Sequence, residues 1–222
     1  MTSFKSSMSC GDIIYSLPFV RHIQRKSEDY CTLYIQQSKH VTDYDTFESL
    51  ERLLDLSYVS VERYAGQAID YDLDKVRSGG SLRTVKHWEN YFKVFNIIPF
   101  WDSFLPWLEV AAITNSIGAV FHITERYGNH TVDFNDLIEK EVNPYFIGLP
   151  GEFEKWKHHK NLTYLNTTNL YEMAQAIKDS NRFYCNQSSG LVIAQALGHK
   201  NINLALHKGF KSVFGLRKEI IL

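Results

Sequence analysis

Residues 162–206 read LTYLNTTNLYEMAQAIKDSNRFYCNQSSGLVIAQALGHKNINLAL, and this stretch decides the fold. Short apolar and aromatic segments predict strands at 162–166, 182–186 and 201–206. The segments between them have the apolar spacing of helices, and Gly198 ends the second helix. Strands that alternate with helices in this way are typical of βαβ units, in which helices cover a parallel sheet.

The same alternation is predicted for both halves of the chain. In the second half, the further elements are a strand at 118–124, a helix at 132–142 and a strand at 144–149. In the first half, they are strands at 2–9, 30–36 and 58–64 and helices at 47–56 and 82–96. The first helix is predicted from Gly11 onward, and Pro18 inside it predicts a kink or a late start.

An aromatic segment separates the two halves. Pro99 and Pro106 bracket several large aromatic side chains, which is typical of a linker that packs against its neighbours. We therefore predict a doubly wound α/β protein with two compact domains, at 1–108 and 109–222.

Composition narrows the functional classes. The chain has 24 basic and 25 acidic residues and a net charge of -1, so it lacks the basic excess of a non-specific nucleic-acid binder, and no nucleic-acid partner is expected. Its three cysteines, Cys10, Cys31 and Cys185, form neither a disulfide framework nor a zinc-ligand pattern. No apolar run approaches the roughly 18 residues of a membrane span. These features predict a soluble cytoplasmic protein.

Polar residues follow the predicted strands. In open parallel sheets, ligands bind beyond the carboxyl ends of the strands, so these residues are the candidates for a ligand site. In strand order, they are Gly11 and Asp12; Glu125, Arg126, Tyr127, Gly128 and Asn129; Pro150, Gly151 and Glu152; Asn186, Gln187, Ser188, Ser189 and Gly190; and His207 and Lys208.

The chemistry of these turns leaves alternatives open. The Ser188–Gly190 turn enters a helix, so its N–H groups and hydroxyls either meet an anion or form an ordinary helix cap. Arg126 is either a bidentate ligand of a diphosphate or a solvated loop arginine. His207 and Lys208 either neutralise a phosphate or form a surface pair. Asp12 either caps the first helix or accepts a proton from a hydroxyl nucleophile.

Several other sites are disfavoured by the sequence. It contains neither GxxxxGK[ST] nor a GxGxxG after the first strand, which excludes a P-loop and disfavours a dinucleotide oxidoreductase. His158 and His159 are adjacent, so on a helix they point in different directions, and no carboxylate cluster accompanies them. No metal site and no cofactor are expected.

Two segments resemble a known family. Residues 11–18, GDIIYSLP, resemble the opening of the ADP-heptose-type glycosyltransferases, which have the GT-B architecture of two facing Rossmann-like domains. Residues 183–198, FYCNQSSGLVIAQALG, resemble the nucleotide-sugar-binding turn and helix of their C-terminal domain. The chain departs from the family where that turn reads Asp-Ser/Thr-Gly followed by histidine: here Gln187-Ser188-Ser189 and Val192 occupy those positions.

The resemblance implies a compact GT-B-like glycosyltransferase. Asp12 would be the general base that activates an acceptor hydroxyl, and the residues after the other strands would bind a nucleotide-sugar donor without a metal. Three alternatives remain: a nucleotide or nucleotide-sugar binding protein without catalysis, a viral-type glycosyltransferase of nucleic-acid bases, and a sugar-nucleotide epimerase that uses Glu125, Glu152 and His207.

Overall fold

The computed structural model describes residues 1–36, 46–56, 58–78, 87–99, 106–113, 117–125, 128, 132–207 and 220–222. The described residues form two compact units, the first ending at Glu109 and the second beginning at Val110. Each unit contains one sheet whose paired strands are all parallel, with helices between the strands. The predicted α/β class is therefore confirmed.

The first unit contains a four-stranded sheet with the order β3-β2-β1-β4. Its strands are β1 (Thr2–Ser6), β2 (Cys31–Ile35), β3 (Val59–Arg63) and β4 (Tyr71–Asp72), and its helices are α1 (Cys10–Ser27), α2 (Phe47–Leu53), α3 (Lys75–Ser78) and α4 (His87–Val94). The predicted segment 82–86 lies outside the described residues. The short strand β4, which the sequence did not predict, pairs with β1 and is held by Tyr71 stacking on Phe4, with ring centroids 5.2 Å apart.

Helix α1 corrects one prediction. It begins at Cys10, so Pro18 does not delay its start but lies buried inside the helix. A proline has no N–H to donate to the carbonyl four residues earlier, which here belongs to Ile14. The indole Nε1–H of Trp107, a fully buried side chain, donates to that carbonyl at 3.1 Å. The structure thus supplies from a distant residue the hydrogen bond that the proline removes.

The second unit contains a six-stranded sheet with the order β10-β9-β8-β5-β6-β7. Its strands are β5 (Ile117–His122), β6 (Tyr145–Phe146), β7 (Thr163–Tyr164), β8 (Ser180–Asn186), β9 (Ile202–Ala205) and β10 (Ile220–Ile221), and its helices are α5 (Phe134–Lys140), α6 (Pro150–Phe153), α7 (Leu170–Asp179) and α8 (Ser189–Leu197). Of these strands, the sequence did not predict β10.

The core of the second unit lies around the central strands β5 and β8. The rings of Phe121 and Tyr184 stack on each other across the two strands, with centroids 4.5 Å apart. Helix α8 is buried along most of its length and ends at Gly198, whose φ of 73° is the left-handed conformation that suits glycine. Because the strands are parallel, their carboxyl ends share one edge, and the turns that follow them are brought to that edge.

Candidate functional site

The predicted base, Asp12, lies in the first turn of α1. Ser9, not Asp12, is the residue at the N-cap position, so Asp12 is not the cap of this helix. The Ser9 hydroxyl donates to Asp12 Oδ2 at 2.8 Å, and Arg77 of α3 forms an ion pair with the same oxygen. The Asp12 side chain is 17% exposed. A carboxylate at this end of an 18-residue helix is also stabilised by the helix dipole.

Two further side chains define the electrostatics around Asp12. Burial acts to lower the pKa of Arg77, but its hydrogen bond and charge interaction with Asp12 raise that pKa above the ordinary guanidinium value. Tyr91 of α4 donates its hydroxyl to the backbone carbonyl of Asp12 at 2.8 Å, and burial raises the pKa of this phenol well above its ordinary value. The carboxylate is therefore paired with a permanent cation, and its backbone is fixed by a neutral donor.

The loop before Asp12 is fixed by a second carboxylate. Asp74 accepts hydrogen bonds from the backbone N–H and the hydroxyl of Ser7, at 2.8 and 2.6 Å, and from Lys5 Nζ at 3.0 Å. Burial alone would lower the pKa of Lys5, but Asp74 raises it. Gly11 is half-buried in the first turn of α1. The β1–α1 turn is thus a rigid frame that presents the Asp12 carboxylate.

In the second unit, the predicted turn after β8 has an unusual cap. Ser188 is the N-cap residue of α8, but its side chain makes no capping hydrogen bond. Its hydroxyl lies 3.0 Å from Nδ1 of His122 and donates to the Asn186 carbonyl at 3.3 Å. Ser189 and Gly190 follow as the first two residues of α8.

Two predicted ligand residues in this turn have side chains that hold the strand ends. Asn186 is fully buried; its Nδ2 donates to the Thr124 carbonyl at 2.7 Å, and its Oδ1 accepts from the Thr124 N–H at 3.2 Å. Gln187 Oε1 accepts the His207 N–H at 2.5 Å. The first side chain joins the ends of β5 and β8, and the second joins the turn to the end of β9.

A residue that the sequence did not single out, His122, occupies the centre of this edge. It is the last residue of β5, its side chain is 2% exposed, and burial lowers its pKa to about 4, so the ring is neutral at pH 7. A Cβ at Gly190 would lie 2.4 Å from Nδ1 of the ring, and one at Gly148 would lie 3.3 Å from Cδ2. The two glycines leave the space that the ring fills.

The predicted Glu152 lies on the other side of Gly148. Its Oε2 accepts the Leu149 N–H at 3.0 Å and would be 2.9 Å from a Cβ at Gly148, whose φ of 134° also favours glycine. Burial raises the pKa of the Glu152 carboxyl. Glu125 forms an exposed ion pair with Lys155 at 2.7 Å. The structure thus places Ser188 and Gly190 against His122, and it places Gly148 between that ring and Glu152.

Other candidates are placed elsewhere or are not described. Arg126, Tyr127, Asn129 and Lys208 lie outside the described residues. The buried His159 binds Asn135 through Nε2 at 2.8 Å, which is a structural contact. Within the described part of the chain, no three His, Cys, Asp or Glu side chains cluster as metal ligands, and no helix is long and apolar enough to cross a membrane.

The chain matches no protein-family model and no curated protein by sequence. Solved structures do match it. The glycosyl transferase family 9 protein from Veillonella parvula has 11% sequence identity and a TM-score of 0.72, and the match covers 99% of this chain and 85% of that one. This chain has the fold of that glycosyltransferase.

Two further solved structures agree. The E. coli heptosyltransferase WaaC with ADP has 13% identity and a TM-score of 0.60, over 91% of this chain and 86% of that chain. TibC, an iron-containing dodecameric glycosyltransferase from enterotoxigenic E. coli, has 14% identity and a TM-score of 0.59, over 92% of this chain and 58% of that one. At these identities the likeness establishes the fold. The expected resemblance to heptosyltransferase-type proteins is confirmed at that level.

Proposed function

We propose that the protein is a glycosyltransferase that moves a sugar from a nucleotide-sugar donor to an acceptor hydroxyl. The observation that carries this proposal is the carboxylate of Asp12, held by Ser9 and Arg77 at the start of α1 in a chain with a glycosyltransferase fold. A carboxylate at the start of a helix that follows a strand is suited to accept a proton from a hydroxyl nucleophile.

The donor is proposed to bind at the start of α8. The N–H groups of Ser189 and Gly190 lie in the first helical turn, where the helix dipole favours an anion such as a diphosphate. WaaC has been solved with ADP and with ADP-2-deoxy-2-fluoro heptose, which makes ADP the first nucleotide to test. The proposed donor contacts also include Glu152 and His207, which follow the carboxyl ends of β6 and β9. Four further residues remain predicted donor contacts: Arg126, Tyr127, Asn129 and Lys208.

The proposed reaction is a displacement at the anomeric carbon. The acceptor oxygen forms a bond to that carbon, its proton passes to the Asp12 carboxylate, and the bond from the carbon to the diphosphate oxygen breaks. The leaving diphosphate takes the electron pair, and the first turn of α8 stabilises its charge. Because these groups supply the charge stabilisation, we propose that the reaction needs no bound metal.

A nucleotide-binding protein without transferase activity is the second candidate. The ion pair with Arg77 favours it, because this contact engages the carboxylate that the transfer reaction needs. We also propose a cytoplasmic location, supported by the fact that Cys10, Cys31 and Cys185 are all buried thiols.

Binding and turnover separate the two candidates. Thermal unfolding is measured with ADP-, UDP-, GDP- and CDP-sugars, and release of nucleoside diphosphate is then measured for the wild type and Asp12→Asn. The transferase proposal predicts a loss of turnover of about 10²–10⁴-fold in Asp12→Asn with donor binding retained. Asp136→Asn, in the first turn of α5, is the matched control.

The same assay contains the contrary outcomes. Donor binding without turnover would favour the binding protein, and no response to any nucleotide would reject both candidates. Turnover abolished by EDTA and restored by a divalent cation would reject the metal-independent mechanism.

A further inference from the structure

The imidazole of His122 has no step in the proposed reaction, yet it is one of the most enclosed polar groups at the strand edge. Its side chain is 2% exposed and is bounded by Gly190 of α8 and by Gly148. An apolar side chain would fill this space without the free-energy cost of burying a polar ring. The ring's Nδ1 instead lies 3.0 Å from the Ser188 hydroxyl, so the polar contact is the feature that distinguishes His122 from an apolar residue.

The Ser188 hydroxyl is placed where it cannot cap its own helix. A serine at the N-cap position normally accepts a hydrogen bond from the N–H of the second or third residue of the helix. Ser188 makes no such bond, and its hydroxyl is held by His122 and by the Asn186 carbonyl. The N–H of Leu191 donates to the Ser188 carbonyl at 3.1 Å. The N–H of Gly190, which a capping serine would satisfy, is therefore left for another acceptor.

The contact with Gly190 fixes the same turn from a second direction. The space that a Cβ at Gly190 would occupy lies 2.4 Å from Nδ1 and 3.0 Å from Cγ of the ring. The backbone at the start of α8 thus rests directly on the imidazole. A single side chain holds both the cap residue and the second residue of the helix.

We propose that His122 is a positioning residue for the donor: by holding the Ser188 hydroxyl, it prevents Ser188 from capping α8 and reserves the Gly190 N–H for the donor diphosphate. This inference rests on the proposed function. A purely structural role predicts that loss of the histidine lowers stability. The positioning role predicts instead that its loss permits a capping hydrogen bond from Ser188 and weakens ligand binding.

The test measures ADP affinity by calorimetry and stability by urea unfolding. We expect His122→Leu to bind ADP about tenfold more weakly, since the released Ser188 hydroxyl competes for the Gly190 N–H. Adding Ser188→Ala in the His122→Leu background should recover affinity, because the competing hydroxyl is removed. His122→Gln, which can still hold the hydroxyl, should bind more tightly than His122→Leu. Gly118→Ala, on the same strand, is the control, since a Cβ there meets only the Val142 carbonyl, at 3.8 Å.

Two results would overturn the inference. One is unchanged ADP affinity in His122→Leu; the other is a further loss of affinity on adding Ser188→Ala. Should His122→Leu fail to fold, the wild type decides: the amide NMR signals of Ser189 and Gly190 must shift during an ADP titration, and signals that stay unmoved while ADP binds contradict the proposal. Failure of the proposed function is distinct: the wild type would then either bind nucleotide without turnover, which leaves this inference testable, or bind none of ADP, UDP, GDP and CDP.

Discussion

Each unit contains a helix that follows a parallel strand: α1 in the first unit and α8 in the second. The first turns of these two helices are held by different kinds of side chain. At α1, the first turn holds a carboxylate, Asp12, paired with the cation Arg77. At α8, the first turn is held by a hydroxyl, Ser188, and a neutral imidazole, His122. The comparison shows that two helices that each follow a parallel strand can begin with different chemistry. A turn that contains an anion suits proton transfer, whereas a turn without one suits anion binding.

The largest expected effect tests whether the α8 turn depends on a neutral histidine. Because the pKa of His122 in the folded protein is about 4, the unfolded chain binds a proton more readily than the folded one between pH 6.5 and 4. The contribution of His122 to the free energy of unfolding should be fully present above pH 6.5. It should fall by about 3 kcal/mol as the pH drops to 4. Urea unfolding over this range should show the fall in the wild type but a smaller one in His122→Gln.

His22 of α1 provides an internal reference in that experiment. Burial also lowers the pKa of His22, so it contributes to the pH dependence with the same sign in both proteins. The difference between wild type and His122→Gln therefore isolates His122. If the free energy of unfolding changed equally with pH in the wild type and in His122→Gln, the ring of His122 would not be neutral in the folded state.

The next effect tests how closely the α8 turn packs on that ring. Gly190→Ala should lower the free energy of unfolding by about 2 kcal/mol, because the new Cβ would overlap Nδ1 of His122. Gly151→Ala is a matched control: it also lies at the second residue of a helix, α6, but a Cβ there meets nothing within 4 Å. Denaturant unfolding of the two variants would contradict the packing argument if their stabilities fell equally.

A smaller effect tests the frame behind the α1 turn. Trp107→Phe should lower the free energy of unfolding by about 1 kcal/mol, because the Ile14 carbonyl loses its donor. In a Pro18→Ala background, the backbone N–H at position 18 can replace that donor, so the same Trp107 substitution should cost less. A double-mutant cycle measures this coupling. Additive losses would show that the indole contributes by packing alone.

The smallest effect tests the charge at the α1 turn itself. The Arg77 side chain is 55% exposed, so solvent screens its ion pair with Asp12. Arg77→Met should lower stability by less than about 1 kcal/mol, and the difference from the wild type should shrink in 1 M salt. For Ser188→Ala, the difference in free energy of unfolding from the wild type should not depend on salt. A salt-independent effect of Arg77→Met would remove the electrostatic contrast between the two turns.

The sequence predicted the larger elements because their apolar patterns are long enough to show a period. Strands β6 and β7 have only two residues each, but they lie inside the longer apolar segments 144–149 and 162–166, which were predicted as strands. Strands β4 and β10 also have two residues each and were not predicted; they pair with β1 and β9. Of the two alternatives that Pro18 suggested for α1, a kink or a late start, the late start was wrong. The compensating donor, Trp107, is 93 residues away from Ile14 in sequence, so the local pattern could not show it.

The sequence predicted which turns lie at the carboxyl ends of the strands, but not the contacts that their side chains make. The strand-end rule named Asp12, Glu152 and the Ser188–Gly190 turn, whose roles stay predictions. It did not predict that the amide groups of Asn186 and Gln187 join strand ends. His122 was missed because a single histidine ending an apolar strand carries no spacing signal. The glycines at 148 and 190 only become informative once the fold brings them to the ring.

The hydrogen bond from Trp107 to the Ile14 carbonyl has a consequence for folding during synthesis. The first helix of the chain cannot satisfy its own backbone until residue 107 has left the ribosome, because its missing donor is encoded at the far end of the first unit. Until then, α1 carries an unsatisfied carbonyl at Ile14, which disfavours its burial. The native packing of α1 should therefore become more stable once residue 107 is available, and nascent chains that lack it should be more sensitive to proteolysis.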